Sequence, residues 1–192
     1  MSLKLSSFYF KPLEKSDKFE FDCSDEDLND FFHNDALLNK QKLLGVTYVF
    51  YCNKSNKVVC FFTVSNDSLK VSGSFRRRQA KNKRFPFYPA VKIGRLGVNK
   101  EYQSNGIGSQ LIDFIKLLFT YENKTGCRFL IVDAYNKPKV LKFYKKTDFS
   151  EIPGINNNQE TKLFMFDLIS YRNALDDKLK NEKPYKPSFS NR

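Results

Sequence analysis

The sequence predicts an α/β (α+β) domain, a sheet flanked by helices. Three observations predict it: paired apolar runs at residues 46–52 and 57–65, a strand, glycine turn, helix and strand in succession over residues 91–135, and a hydrophobic share of 41% in 192 residues, enough for one core. With 20 Phe the chain is too apolar to remain disordered, while charged residues at 28% give it an ionised surface. Residues 1–168 are read as one domain and residues 169–192 as a C-terminal helix or polar tail.

The first element expected is a helix from Asp25 to Leu44. Ser24 stands as its N-cap, Ser24-x-x-Asp27 forms a capping box and Gly45 ends it. Leu28, Phe31, Phe32 and Leu38 lie near one stripe, and Asp25, Glu26 and Asp27 complement the positive end of the helix dipole. VTYVFYC (46–52) and KVVCFFTVS (57–65), joined by the polar turn Asn53–Asn56, read as an antiparallel hairpin. A third short strand is expected around Ser68–Phe75. VKIGRLGV (91–98) is a strand interrupted by Gly94 and Gly97, where a bulge or a close backbone approach fits. Ile107, Leu111, Phe114, Ile115 and Leu118 recur at helical spacing through Tyr121, and CRFLIVDAY (127–135) follows as a strand. Pro138 opens a helix with Val140, Leu141 and Tyr144 on one face, TKLFMFDL (161–168) is the last strand, and a short helix reaches about Lys180.

Cys23, Cys52, Cys60 and Cys127 stand far apart with no C-x-x-C pair and read as small buried hydrophobes. His33 is the only histidine, so a multi-histidine metal site is excluded and no metal is expected. The N-terminus lacks an apolar h-region and no stretch approaches the length of a membrane span, so a cytoplasmic protein without membrane contact is expected. Thirty-three Lys and Arg against 21 Asp and Glu give +12, which favours a polyanionic partner, although a general lysine bias supplies part of the excess. The charge is uneven. From Leu69 to Lys100 there are ten basic residues and no acid.

Gln103-Ser104-Asn105-Gly106-Ile107-Gly108 sets two glycines between a strand and an amphipathic helix, so free N–H groups and the helix dipole converge on a spot suited to phosphate. A dinucleotide fingerprint is disfavoured, because Gly106 lies eight positions beyond Val98 and Leu111 fills the third-glycine site. A phosphate-binding loop of the Walker type fails too, since no Gly-Lys-Ser/Thr follows.

The stretch resembles the GNAT acetyltransferases through the strand VKIGRLGV, the loop Q-x-x-G-x-G, the following helix, the strand LIVDAY and the helix VLKFYKKTDF, in family order over residues 91–149. FDCSDEDLNDFF resembles the Phe-x-Cys opening of a subgroup of toxins that acetylate aminoacyl-tRNA. The resemblance implies a GNAT fold, with a central mixed, mostly antiparallel sheet splayed at the acetyl-CoA site. It implies that Leu96, Gly97 and Val98 offer backbone groups to the acetyl and pantetheine arm, that Gln103, Ser104, Asn105, Gly106, Ile107, Gly108 and Ser109 surround the pyrophosphate, and that Asn136 contacts pantetheine. A bulge near Gly97 would splay the strand and free N–H groups for the thioester carbonyl.

By the same resemblance Tyr144, in Phe143-Tyr144-Lys145-Lys146-Thr147-Asp148-Phe149, protonates the departing CoA thiolate; Asp148 stands where the family pattern F-Y-x-x-x-G-F has glycine. An attacking lysine, of pKa about 10.4, would need a base, whereas an α-amine starts near about 8 and an adjacent ester lowers it further. No acid occurs from Leu69 to Lys100, which points to a weakly basic amine, with Glu101 or Asp133 left to act through water. The expected reaction is therefore direct transfer of acetyl to the α-amine of aminoacyl-tRNA, blocking translation.

Arg76, Arg77, Arg78, Lys81, Lys83, Arg84 and Arg95 are the candidates for tRNA phosphates, with Lys40 and Lys42 as additions. A small antitoxin covering the basic face follows from the resemblance, which is also compatible with a homodimer. Two other readings stay open: a GNAT enzyme acting on a protein N-terminus, polyamine or other small amine, and a nucleic-acid-binding module with a non-catalytic CoA site.

Overall fold

The computed structural model describes residues 3–70, 85–123, 126–152 and 160–181. Its centre is a seven-stranded sheet in the order β1-β2-β3-β4-β5-β7-β6, formed by β1 (Tyr9–Pro12), β2 (Val46–Cys52), β3 (Lys57–Lys70), β4 (Phe87–Val98), β5 (Phe129–Tyr135), β6 (Ser150–Glu151) and β7 (Thr161–Asp167). Every neighbouring pair is antiparallel except β4 and β5. A helix, α3 (Ile107–Tyr121), carries the chain across between these two parallel strands, as parallel pairing requires. This is the mixed, mostly antiparallel sheet that the resemblance implies.

One face of the sheet is covered by α3 and α4 (Pro138–Lys146), with α5 (Leu168–Asn181) packed beside α3. Ile107, Leu111, Ile112 and Ile115 of α3 are buried there against Phe62, Ile93, Leu130 and Phe164. The other face carries α1 (Glu26–Asp30) and α2 (Ala36–Gln41) over Val49, Val58 and Phe61. Much of this core is aromatic: Phe10 stacks on Tyr48 at 5.5 Å between centroids and meets Phe114 edge-on at 4.7 Å.

The first helix departs from expectation. Asp25 caps it, its carboxylate accepting from the Leu28 N–H at 3.1 Å, while Ser24 adopts a positive φ of 62° and lies outside. A π turn over Phe31–Asp35 separates α1 from α2 and buries both Phe31 and Phe32; the extra residue turns the apolar face, so Leu38 is 48% exposed instead of lying on the stripe. The helical run ends at Gln41, short of Gly45, because Leu43 takes φ 58°. No separate strand starts at Ser68: residues 66–70 continue β3, and residues 71–75 lie outside the described ones. β1 and β6 were not expected, because four and two residues are too short to show an alternating pattern. Cys23, Cys60 and Cys127 are buried as expected, and Cys52, at the end of β2, is half-buried.

Candidate active site

The strands β4 and β5 form a fork. Their ladder comprises Ala90 with Phe129, Val91 with Leu130 and Lys92 with Ile131, and beyond Lys92 β4 pairs, among the described residues, with β3 alone. The next residues of β4 therefore present alternate backbone N–H and C=O groups to the opening on one edge. The bulge sits at Gly94, not near Gly97: Thr63 pairs with Arg95 and Val64 with Ile93, leaving Gly94 as the extra residue. This single insertion shifts the side-chain phase. Val91 and Ile93 face α3, and after the bulge Leu96 and Val98 do so, while Arg95 and Gly97 turn to the α1 face. Gly97 has its own reason, since a Cβ there would lie 2.6 Å from Phe61 Cε1 and 3.0 Å from Phe21 Cζ.

The glycine turn lies between the end of β4 and α3. Gly106 is the N-cap of α3, in the left-handed region at φ 75°, and an added Cβ would meet nothing within 4 Å. The first N–H groups of α3 thus open onto free space, an arrangement that accepts an anion. Gly108 works differently: a Cβ there would be 3.3 Å from Phe143 Cε2, so its absence lets α4 approach the first turn of α3. The Gln103 amide donates to the Cys23 carbonyl at 2.9 Å and the Val98 carbonyl at 3.0 Å, and the Asn105 amide donates to the Gln103 carbonyl at 3.0 Å. These two side chains shape the turn, and its main chain remains for a ligand. Ser104 and Ser109 are exposed at the turn, whereas the Ile107 side chain is buried in the core. The Phe-x-Cys segment supports the same turn, as Phe21 packs on Gly97, Asp22 pairs with Lys100 at 2.7 Å and Cys23 holds Gln103.

Tyr144 projects from α4 among Phe143, Phe149 and Phe164 and is 7% exposed. Burial pushes its phenol up to about 12. Its hydroxyl has no hydrogen-bond partner among the described residues, so a neutral O–H donor on the α3 side of the sheet is left for a ligand. Lys139, Lys142 and Lys146 are exposed on α4, the helix whose Phe143 meets Gly108, and make it positively charged.

The opposite face of the fork is polar. Lys92 and Asp133 form an ion pair across its base, and Glu101 pairs with Lys57 at 2.7 Å, so each of the two acids considered as a base is engaged. Further out, Asp27 Oδ2 lies 3.8 Å from Arg95 Nε and accepts from the Tyr135 hydroxyl at 3.3 Å. One carboxylate of α1 thereby bridges β4 and β5 where they part. Arg95, a phosphate candidate, rests over the Phe31 ring at 5.2 Å and donates to the Gly94 carbonyl at 3.1 Å. Asn136 is exposed just past Tyr135 with its main-chain N–H on the Glu160 carbonyl at 2.7 Å. Arg76, Arg77, Arg78, Lys81, Lys83 and Arg84 lie outside the described residues. Asp27, Tyr135 and Phe143 went unassigned in the sequence; Tyr135 shares a strand face with Asp133 at a spacing of two, but nothing in the sequence marks Asp27 as its neighbour.

The model of the acetyltransferase (GNAT) domain matches residues 46–151, which span the hairpin, the fork, the glycine turn and α4. The chain belongs to the GNAT acetyltransferase family. Solved structures similar to this GNAT chain include AtaT complexed with acetyl-methionyl-tRNAfMet (TM-score 0.72, 20% identity, 88% of this chain and 99% of that one). AtaTR bound with AcCoA has TM-score 0.71 and 21% identity, over 88% of this chain and 98% of that one. A tyrosine-to-phenylalanine variant of KacT has TM-score 0.72 and 19% identity, over 87% and 98%. At these identities the likeness establishes the GNAT fold. Among the described residues no group of three His, Cys, Asp or Glu could hold a metal, and no helix is long and apolar enough to cross a membrane.

Proposed function

We propose that this GNAT enzyme transfers acetyl from acetyl-CoA directly to a primary amine, the α-amine of aminoacyl-tRNA, and so acts as a toxin that blocks translation. The observation that carries the reading is the β4–β5 fork, with a backbone edge open beyond Lys92 and an unbonded Tyr144 hydroxyl on one face. The residues fit acetyl-CoA: the open space before Gly106 suits a diphosphate, and the β4 edge suits an amide-bearing arm. When bound, acetyl-CoA supplies an activated acetyl thioester. Main-chain N–H groups along Leu96–Val98 would donate to the thioester carbonyl as its negative charge grows. Tyr144 would hold a proton at its hydroxyl for the departing sulfur, and Gly106 to Ser109 would hold the diphosphate through their main chain.

The acceptor follows from what the site lacks and what surrounds it. Asp133 and Glu101 are both in ion pairs, which suits an amine that needs no dedicated base. The acid-free run from Leu69 to Lys100, with Arg76 to Arg78, Lys81, Lys83 and Arg84, suits the phosphates of an acceptor stem. Similar structures carry acetylated tRNA and, in AtaT, the C-terminus of its antitoxin. By the same reading a small antitoxin covers the basic face of this chain, the setting is cytoplasmic, residues 1–168 form the domain and no acyl-enzyme forms. Burial raises the Cys60 thiol well above the usual range, and Cys23 is tied to Asn29 at 3.2 Å, so neither is poised as a nucleophile.

Incubation with charged tRNA and acetyl-labelled acetyl-CoA tests the proposal. Label should enter the aminoacyl moiety, with apparent affinity falling steeply between about 50 and 200 mM salt. Label in a polyamine or peptide with none in charged tRNA would overturn it.

A further inference from the structure

The polar face of the fork has a group that the catalytic reading leaves unused. Asp27 Oδ2 accepts from the Tyr135 hydroxyl and faces Arg95 Nε in a 3.8 Å ion pair that makes no hydrogen bond, while its second oxygen, Oδ1, has no partner among the described residues, and the side chain is 58% exposed. The Arg95 guanidinium lies over Phe31 and the Tyr135 hydroxyl donates to Asp27, so the carboxylate is oriented from both strands of the opening. The first turn of α1, fixed by the Asp25 cap, delivers it there. Tyr144 and the glycine turn lie on the α3 side, whereas Asp27, Arg95 and Tyr135 lie on the α1 side.

We infer that Asp27 receives the acceptor amine, its free Oδ1 accepting a hydrogen bond from an N–H of the incoming primary amine on the face of the fork opposite Tyr144. This rests on the acetyltransferase reading and adds the residue that selects an amine. A carboxylate suits the task because it only accepts, so a hydroxyl acceptor of like shape offers one donor where a neutral primary amine offers two. Arg95 and Tyr135 are positioning residues that hold the carboxylate and leave one oxygen free. Arg95 thereby serves the amine side of the site, in addition to any contact with a polyanion.

The test uses the full chain, two acceptors (methionine methyl ester and charged tRNA) and the variants Asp27→Asn and Glu26→Gln. Asp27→Asn should raise KM about tenfold for whichever acceptor the wild type uses, the scale of one charge-assisted hydrogen bond, with the Kd for acetyl-CoA unchanged. Glu26→Gln removes a charge from the same exposed helical turn and should leave both constants unchanged. Tyr135→Phe should raise KM by a smaller factor with kcat retained. A KM within twofold of wild type for Asp27→Asn, or an equal rise in Glu26→Gln, overturns the assignment. A wild type that uses the ester but not charged tRNA overturns the tRNA reading, and the Asp27 assignment is then decided on the ester. A wild type inert toward both overturns both.

Discussion

The ammonium of Lys116 lies 3.5 Å from Asp148 Oδ2, joining the middle of α3 to the residue just past the C-cap of α4. Asp148 stands where the family motif has glycine and keeps the left-handed conformation, at φ 62°. Aspartate tolerates that region better than most residues, and here its carboxylate has a partner. Lys116 is buried, 4.4 Å from the Phe166 centroid, with Asp113 at 3.4 Å as its second carboxylate.

Two substitutions separate strain from pairing. Asp148→Gly relieves the left-handed strain, roughly 1 kcal/mol, and loses a largely exposed carboxylate of similar worth, so its unfolding midpoint in urea should stay near wild type. Asp148→Ala keeps the strain and loses the charge, and should be less stable by about 1–2 kcal/mol.

Tyr144→Phe should lower kcat by on the order of a hundredfold or more, with Kd for acetyl-CoA little changed. Because the hydroxyl bonds to no described residue, the thermal midpoint near neutral pH should hold. A rate within threefold of wild type would remove Tyr144 from the chemistry.

The raised phenol sets a pH dependence. With its folded pKa near 12 against an ordinary 10.0, the unfolded chain ionises first, so this contribution is whole below about pH 10 and is lost as pH climbs toward 12. Denaturation midpoints across that window should fall in the wild type and fall less in Tyr144→Phe. Activity should rise with pH as the acceptor amine deprotonates and then hold level to about pH 10, since the donor stays protonated throughout.

The two loop glycines should answer differently to alanine. Gly106→Ala adds a methyl at φ 75° in the space before the turn, so stability should drop by about 1 kcal/mol and acetyl-CoA should bind on the order of tenfold more weakly by calorimetry. Gly108→Ala must displace the Phe143 ring from 3.3 Å, and a ring at the protein edge can yield, so its loss of affinity should be smaller.

The strand and helix patterns that position the site were legible because each is long and strongly periodic: β2, α3, β5 and α4 fall within about two residues of their expected spans, and β3 begins where expected but runs on to Lys70. The bulge was assigned to the wrong glycine because both Gly94 and Gly97 interrupt one strand, and only pairing with Thr63 and Val64 tells an extra residue from a close approach to Phe61. The π turn at Phe31–Asp35 leaves no local signature, since its cause is the pair of phenylalanines settling on Phe21 and Phe61. Tyr144 could be picked out from its motif. Asp27 could not, because it lies on α1 while its partners Arg95 and Tyr135 lie on β4 and β5, which meet it only in the folded chain.

The two outermost strands are brief: β1 has four residues and closes on Pro12, which lacks a donor, and β6 has two. A sheet so rich in phenylalanine would otherwise offer long unpaired rims on which a neighbouring molecule could template its own strands. Stubs this short offer an incoming strand few main-chain groups of their own to pair with, the device by which sheets limit edge-to-edge association.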